Sequence, residues 1–115
     1  MTAMEVARKM GIETGQAEAY LASCDEVIES GQFVAILRGN TVHIAAEIHG
    51  LGGRSLLRKC RAILRDWFER HSVLYAPIKK DSEHVIPFAE RFGFVRYAVD
   101  DTHIWMLQTK EQFYA

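Results

Sequence analysis

Apolar residues along this chain recur at two different spacings, and the change of spacing predicts where helices give way to strands. Near the N-terminus they recur at steps of three and four, which is typical of amphipathic helices. Thr2 and Glu5 form the pattern of a capping box, so a first helix is expected to run to about Met10 and to stop at Gly11. A second helix, ending before Gly31, is expected to bury one apolar stripe. The residues of that stripe are Ala17, Tyr20, Leu21, Cys24, Val27 and Ile28.

Strand-like spacing begins at Gln32. The run from Gln32 to Leu37 is apolar and partly β-branched, and the turn residues Arg38-Gly39-Asn40 follow it. From Thr41 onwards apolar positions alternate with others, so the two runs together predict a β-hairpin. Successive side chains of a strand point to opposite faces, and His43 and Glu47 therefore share one face of the second strand.

The C-terminal half predicts a helix, a strand, another helix and a second hairpin. A strand is expected from Ser72 to Ile78, which Pro77 ends or kinks, and a helix is expected from Asp81 to Gly93. The runs 94–99 and 103–108 predict the final hairpin. A strand–helix–strand unit between two hairpins indicates the α/β (α+β) class with a mixed, mostly antiparallel sheet. The long helix before these elements carries one apolar stripe of Leu56, Leu57, Cys60, Ile63, Leu64, Trp67 and Phe68.

Composition and charge fit a single domain spanning residues 1–115. The formal net charge is −1, so no overall attraction to nucleic acid or to a membrane surface is expected. No apolar run approaches the ~20 residues of a membrane span, and no signal peptide is evident, which favours the cytoplasm. Cys24 and Cys60 fall on apolar helical stripes and are expected to be buried, reduced thiols. Without a Cys-x-x-Cys pair or a Cys/His cluster, no metal site is expected.

Three glycines lie between the second strand and the long helix, at Gly50, Gly52 and Gly53. Glycine lets backbone approach a ligand closely, and the first N–H groups of a helix have no partner within the helix. A strand, a glycine run and a helix in that order therefore predict a site for a phosphate or pyrophosphate. A nucleotide P-loop would need Lys after the last glycine, where this chain has Arg54-Ser55. A dinucleotide fold would need glycines spaced as G-x-G-x-x-G, of which Gly50 and Gly52 supply only G-x-G, and an acid at the end of the next strand, where Val73-Leu74-Tyr75-Ala76 has none.

Two segments resemble the GNAT acetyltransferase superfamily. His49 to Leu57 is similar to the family's R-G-x-G-x-G-R-x-L-L with one position missing, and Ser82 to Phe94 is similar to its N-x-x-A-I-x-F-Y-E-K-L-G-F. The resemblance covers roughly residues 42–108 and implies a GNAT-like sheet flanked by about four helices. It also implies acetyl transfer from acetyl-CoA to an amine.

The resemblance implies roles for particular residues. Glu47 or His43 would act as the general base, although both also suit a solvated sheet face. The acceptor would be a small-molecule or protein amine. The residues implied in cofactor binding are Ile48, His49, Gly50, Leu51, Gly52, Gly53, Arg54, Ser55 and Ser82.

One departure from the family pattern supports a second hypothesis. Ala89 stands where many members have the tyrosine that protonates the departing thiolate. The chain could therefore be a GNAT-like scaffold without catalysis, similar to abbreviated phage proteins associated with head assembly. Because the N-terminal part is short for the family, a second copy of the chain could complete an open acceptor site.

Overall fold

The structure, a computed structural model, describes residues 1–30, 33–46 and 53–115. Contacts within the chain divide it into two compact units, Met1–Leu51 and Gly52–Ala115. The fold class is confirmed, because helices are combined with a mostly antiparallel sheet. The expected single domain of residues 1–115 stays a prediction.

The first unit consists of two short helices and three strands. The helices are α1 (Ala3–Lys9) and α2 (Thr14–Ser23), and the strands are β1 (Glu26–Glu29), β2 (Phe33–Arg38) and β3 (Thr41–Ala46). β2 pairs antiparallel with β1 on one side and with β3 on the other. The hairpin expected between residues 32 and 48 is confirmed over the residues that the structure describes.

Helix α1 covers one face of strand β2. Ala3 and Val6 of the helix form a buried cluster with Val34 and Ile36 of the strand. Thr2 caps the helix as predicted, since its Oγ1 accepts a hydrogen bond from the Glu5 amide at 3.2 Å. Glu29 of β1 satisfies another free donor, because its Oε1 accepts from the Ala3 amide at 2.6 Å.

The prediction that the second helix reaches Ile28 was wrong. α2 ends at Ser23, and the backbone of Cys24 is extended, with ψ at 147°. Val27 and Ile28 lie in β1 instead, opposite Ile36 and Ala35. Their backbone groups find partners in a strand that is apolar from Phe33 to Leu37, and this pairing outweighs the helical spacing. Cys24 is consequently half-buried beyond the helix rather than buried on its stripe.

The second unit begins with the long helix and ends with a short one that was not predicted. Strand β6 is central, because it pairs antiparallel with both β4 and β5. The elements are α3 (Gly53–Phe68), β4 (Val73–Lys79), a 3-10 helix (Lys80–Val85), α4 (Ile86–Arg91), β5 (Val95–Val99), β6 (His103–Thr109) and α5 (Lys110–Tyr114).

Helix α3 supplies the largest part of this unit's core, as its apolar stripe predicts. Leu56, Cys60, Leu64, Trp67 and Phe68 are buried, the last four of them completely. The remaining two stripe residues are half-buried. Burial also raises the pKa of the Cys60 thiol to about 11, because the surrounding apolar side chains disfavour the thiolate.

Two local expectations in this unit were wrong or incomplete. Pro77 does not end its strand, since β4 continues to Lys79 with Pro77 opposite Trp105 of β6. Beyond β6, Thr109 starts α5 through a capping box with Gln112. In the described part of the chain there are thus five α-helices and one 3-10 helix, against about four helices expected. No helix there is long and apolar enough to cross a membrane.

Candidate functional site

The elements on either side of the glycine run are those that the sequence predicts. β3 ends at Ala46 and α3 begins at Gly53, the last glycine of the run. α3 has 16 residues, so its first turn presents several backbone N–H groups without helical partners. Between the two elements lie Glu47, Ile48, His49, Gly50, Leu51 and Gly52, which are outside the described residues, as are the side chains of Gly53 and Arg54.

Two other predicted cofactor residues lie in the second unit. Ser55 is exposed in the first turn of α3. Ser82 is half-buried in the 3-10 helix, where its Oγ is 3.4 Å from Asp81 Oδ1. That distance is long for a hydrogen bond between oxygens, so little holds the Ser82 hydroxyl in place.

His43, one of the two candidate bases, lies in the middle of β3 in the first unit. It is half-buried and stands directly opposite Ile36 of β2. Residues that face each other in an antiparallel pair project from the same side of the sheet. His43 therefore lies on the side of the sheet where Ile36 packs against α1. The predicted alternation of β3 is consistent with this position.

Sequence reasoning missed a groove within the second unit. This groove has a volume of about 510 Å³ and is formed by α3, the end of α4, the end of β6, and α5. Arg61 and Arg65 of α3 line it together with Glu90, Arg91 and Gln108. No role is predicted for Arg61 or Arg65 from the sequence, and α5 is not predicted either.

Gln108 is the unusual residue of this groove. It is 2% exposed, and among the described residues it is the one buried side chain that is polar. Its Oε1 has no hydrogen-bond partner. Gly93 makes room for its amide: a Cβ at Gly93 would collide with Gln108 Nε2, and the positive φ of 98° also favours glycine there.

The strand pattern explains why a polar residue is buried at this point. β6 alternates between half-buried and buried positions, and Ile104, Met106 and Gln108 are its buried ones. The alternation of β6 in the sequence does place Gln108 at a position that faces the core. Whether a glutamine fits there depends on neighbours that only the fold supplies, above all Gly93.

Comparison with known proteins adds no family to this picture: no family model, curated protein or solved structure matches the chain. The GNAT resemblance therefore depends on its two sequence segments. The described residues also contain no group of three or more His, Cys, Asp or Glu placed to hold a metal ion.

Proposed function

We propose that this protein is an acyl-CoA-dependent N-acetyltransferase, which transfers the acetyl group of acetyl-CoA to an amine. One observation carries the proposal: α3 begins at the last glycine of the run that follows β3. The glycine run would then deliver its backbone to the pyrophosphate at the positive end of a 16-residue helix. Ser55, exposed in the first turn, is free to approach a phosphate oxygen.

The second segment of the resemblance supports the fold rather than the chemistry. Ile86 and Phe94 are both buried, at 1% and 4% exposure. Gly93 occupies a left-handed conformation between them. These matching positions are thus explained by packing, and support for a bound cofactor comes from the glycine run alone.

Transfer of the acetyl group to the amine needs three events. The amine loses a proton to Glu47 or His43, its nitrogen attacks the thioester carbonyl carbon, and the carbon–sulfur bond breaks. Backbone N–H groups near the thioester would stabilise the negative charge that develops on the carbonyl oxygen. The departing thiolate then takes a proton from solvent or from a neighbouring acid, because Ala89 has none to give.

One observation favours a different function, that of a GNAT-like binding or assembly protein without catalysis. Ala89 lies half-buried in α4, so neither an ionisable group nor a hydroxyl occupies that position. A missing acid of this kind typically lowers a rate by ~10²–10⁴-fold rather than abolishing it. The two functions are therefore separated by measurement of turnover as well as binding.

Calorimetric titration with acetyl-CoA tests the glycine run. The native protein is expected to bind, and Gly52→Asp and Gly53→Asp are expected to bind much more weakly, because each adds a side chain and a negative charge beside the pyrophosphate. Gly15→Asp is the matched control. It makes the same change in α2, where a new Cβ would meet nothing within 4 Å. No binding by the native protein would contradict both the proposed binding of acetyl-CoA and the proposed acetyltransferase activity.

A thiol-release assay over a panel of small amines and peptides tests the chemistry. Glu47→Gln and His43→Gln are compared. The variant that lacks the general base is expected to have a kcat lower by ~10²-fold or more. Unchanged turnover in a variant removes that residue from the mechanism. Binding of acetyl-CoA with no turnover on any amine would favour the non-catalytic protein. Sedimentation of the same samples reports the oligomeric state, and a monomer would contradict an acceptor site completed by a second copy.

A further inference from the structure

We propose that the groove formed by α3, α4, β6 and α5 is a second binding site, which takes a small organic oxyanion that also carries an N–H or O–H donor. The oxyanion would pair with the arginines of the groove, and the donor would reach Gln108. The site is distinct from the proposed acetyl-CoA loop: Arg61 and Arg65 are six and ten residues beyond Ser55 on α3, or about 9 and 15 Å along the helix.

The charge of the groove is the first argument. Arg61 and Arg65 are one turn apart on the same face of α3, and Arg91 ends α4. They share the groove with a single acidic side chain, Glu90, so positive charge is in excess. In the described part of the chain none of the three arginines forms an ion pair. Further along the same helix, Arg70 does have such a partner, Asp66, at 2.9 Å.

The buried amide of Gln108 is the second and independent argument. A buried acceptor without a donor is costly, and native proteins leave few of them. Gln108 Oε1 is such an acceptor, and Gln108 is one of the residues that line the groove. Gly93 accommodates the other end of the amide by lacking a Cβ. A ligand that brought an N–H or O–H into the groove would remove the unsatisfied group.

The dimensions and walls of the groove define the ligand class. A volume of about 510 Å³ lies within the range of sites for small molecules. Guanidinium groups bind carboxylates and phosphates through paired hydrogen bonds, so either oxyanion fits. Phe113 and Tyr114, whose ring centroids are 5.1 Å apart, give the groove an apolar wall for a carbon skeleton. The shared chemistry is therefore a compact organic anion with a polar hydrogen near its charge.

Amide NMR spectra recorded during titration provide the test. The carboxylate probe is N-acetylglycine, the phosphate probe is glycerol 3-phosphate, and N-acetylsarcosine has the charge of the first without its N–H. We expect saturable shifts of the Gly93 backbone amide and the Gln108 side-chain amide with at least one probe. N-acetylsarcosine is expected to bind at least about fivefold more weakly than N-acetylglycine if the carboxylate is preferred.

Variants locate the binding. Arg65→Ala is expected to weaken the preferred probe by about tenfold, since one charged hydrogen-bonding partner is lost. Arg58→Ala, on the same helix but not lining the groove, is the matched control and is expected to change nothing. Gln108→Leu fills the position with an apolar group of similar size and should abolish the preference for an N–H donor.

The proposal is overturned if neither probe gives saturable shifts, or if Arg65→Ala and Arg58→Ala behave alike. It is also overturned if N-acetylglycine is preferred to glycerol 3-phosphate but N-acetylsarcosine binds equally well, a comparison that needs no variant to fold. Titration of Arg65→Ala with acetyl-CoA distinguishes the groove from the proposed acetyl-CoA site. Unchanged acetyl-CoA binding in that variant is expected, and the failure of either site leaves the other testable.

Discussion

The two hairpins of this protein are built from equally apolar strands and are stabilised in different ways. In the first unit, Phe33 to Leu37 of β2 are all buried, none of them more than 2% exposed. In the second unit, every residue of β5 is exposed, including Val95, Tyr97 and Val99 at 48–61%. Apolar residue types therefore predict a strand in both places, but they do not tell how much of its stability comes from burial.

The turns of the hairpins differ as well. The first uses Gly39, whose φ of 63° suits glycine and whose amide donates to Asp25 Oδ2 at 2.5 Å. The second turn is organised by the carboxylate of Asp100. This carboxylate accepts hydrogen bonds from Trp105 Nε1 at 2.8 Å and from the amides of Thr102 and His103 at 2.8 and 2.6 Å. The first turn thus combines a left-handed glycine with one hydrogen bond to a carboxylate, whereas in the second turn one carboxylate accepts several hydrogen bonds.

Ile36→Ala is expected to have the largest effect on this comparison. Ile36 is completely buried in β2 against α1, so truncation should lower the free energy of unfolding by about 2–5 kcal/mol. Urea denaturation followed by circular dichroism measures the change. A loss below about 1 kcal/mol would mean that burial is not what stabilises the first hairpin.

Gly39→Ala tests the first turn and is expected to cost about 1 kcal/mol. A Cβ at Gly39 meets nothing within 4 Å, so the cost comes from the left-handed backbone alone. Asparagine tolerates that conformation better, and Gly39→Asn should therefore lose less than Gly39→Ala in the same urea experiment. Equal losses would point to a contact rather than to backbone strain.

Asp100→Asn tests the second turn through its dependence on pH. The hydrogen bond from Trp105 and those from the Thr102 and His103 amides hold the pKa of Asp100 well below its ordinary value of 3.8. A pKa that is depressed in the folded state contributes stability above pH 3.8, and this contribution is lost as the pH falls towards the folded pKa. The variant should thus be less stable than the native protein at pH 7.

Urea midpoints at pH 7 and at about pH 3 complete that test, since protonation of the unfolded state removes part of the native advantage at the lower pH. The difference between the native protein and Asp100→Asn should be smaller at the lower pH. Asp101→Asn is the control, because the neighbouring carboxylate forms none of these bonds. A difference that stays constant with pH would exclude the Asp100 charge as the cause.

Val99→Ala should have the smallest effect, within about 0.5 kcal/mol, although it also truncates a β-branched residue in a strand. Val99 is 61% exposed and buries little surface to lose. The same urea experiment, run beside Ile36→Ala, measures the contrast between the hairpins directly. A loss comparable to that of Ile36→Ala would show that β5 is covered in solution.

Features with local causes could be predicted from the sequence. The cap at Thr2, the turn at Gly39 and the stripe on α3 each depend on residues within one or two turns of chain. β1 could not be predicted in the same way, because the spacing of Val27 and Ile28 suits a helix and only pairing with β2 decides against it. The start of α5 has a local cause as well, because Thr109 and Gln112 form the pattern of a capping box.

The two candidate sites also differ in whether their causes are local in sequence. The flanks of the glycine run were predictable, because a strand, three glycines and an amphipathic helix follow one another directly. The groove around Gln108 was not, because its arginines, its glycine and its amide come from elements that are distant in sequence. The tertiary structure alone brings Arg61, Gly93 and Gln108 together.

The burial of Cys60 gives the protein an intrinsic probe of its own opening. Thiol reagents attack the thiolate, and a fully buried thiol with a pKa of about 11 supplies almost none at neutral pH. Cys60 can therefore react only when α3 separates from the core, and its labelling rate reports the free energy of that opening. Cys24 lies in the other unit and is only half-buried, so its labelling rate does not depend on the opening of α3. Comparison of the two labelling rates would therefore separate opening of the core around α3 from reaction at a thiol that is already partly accessible.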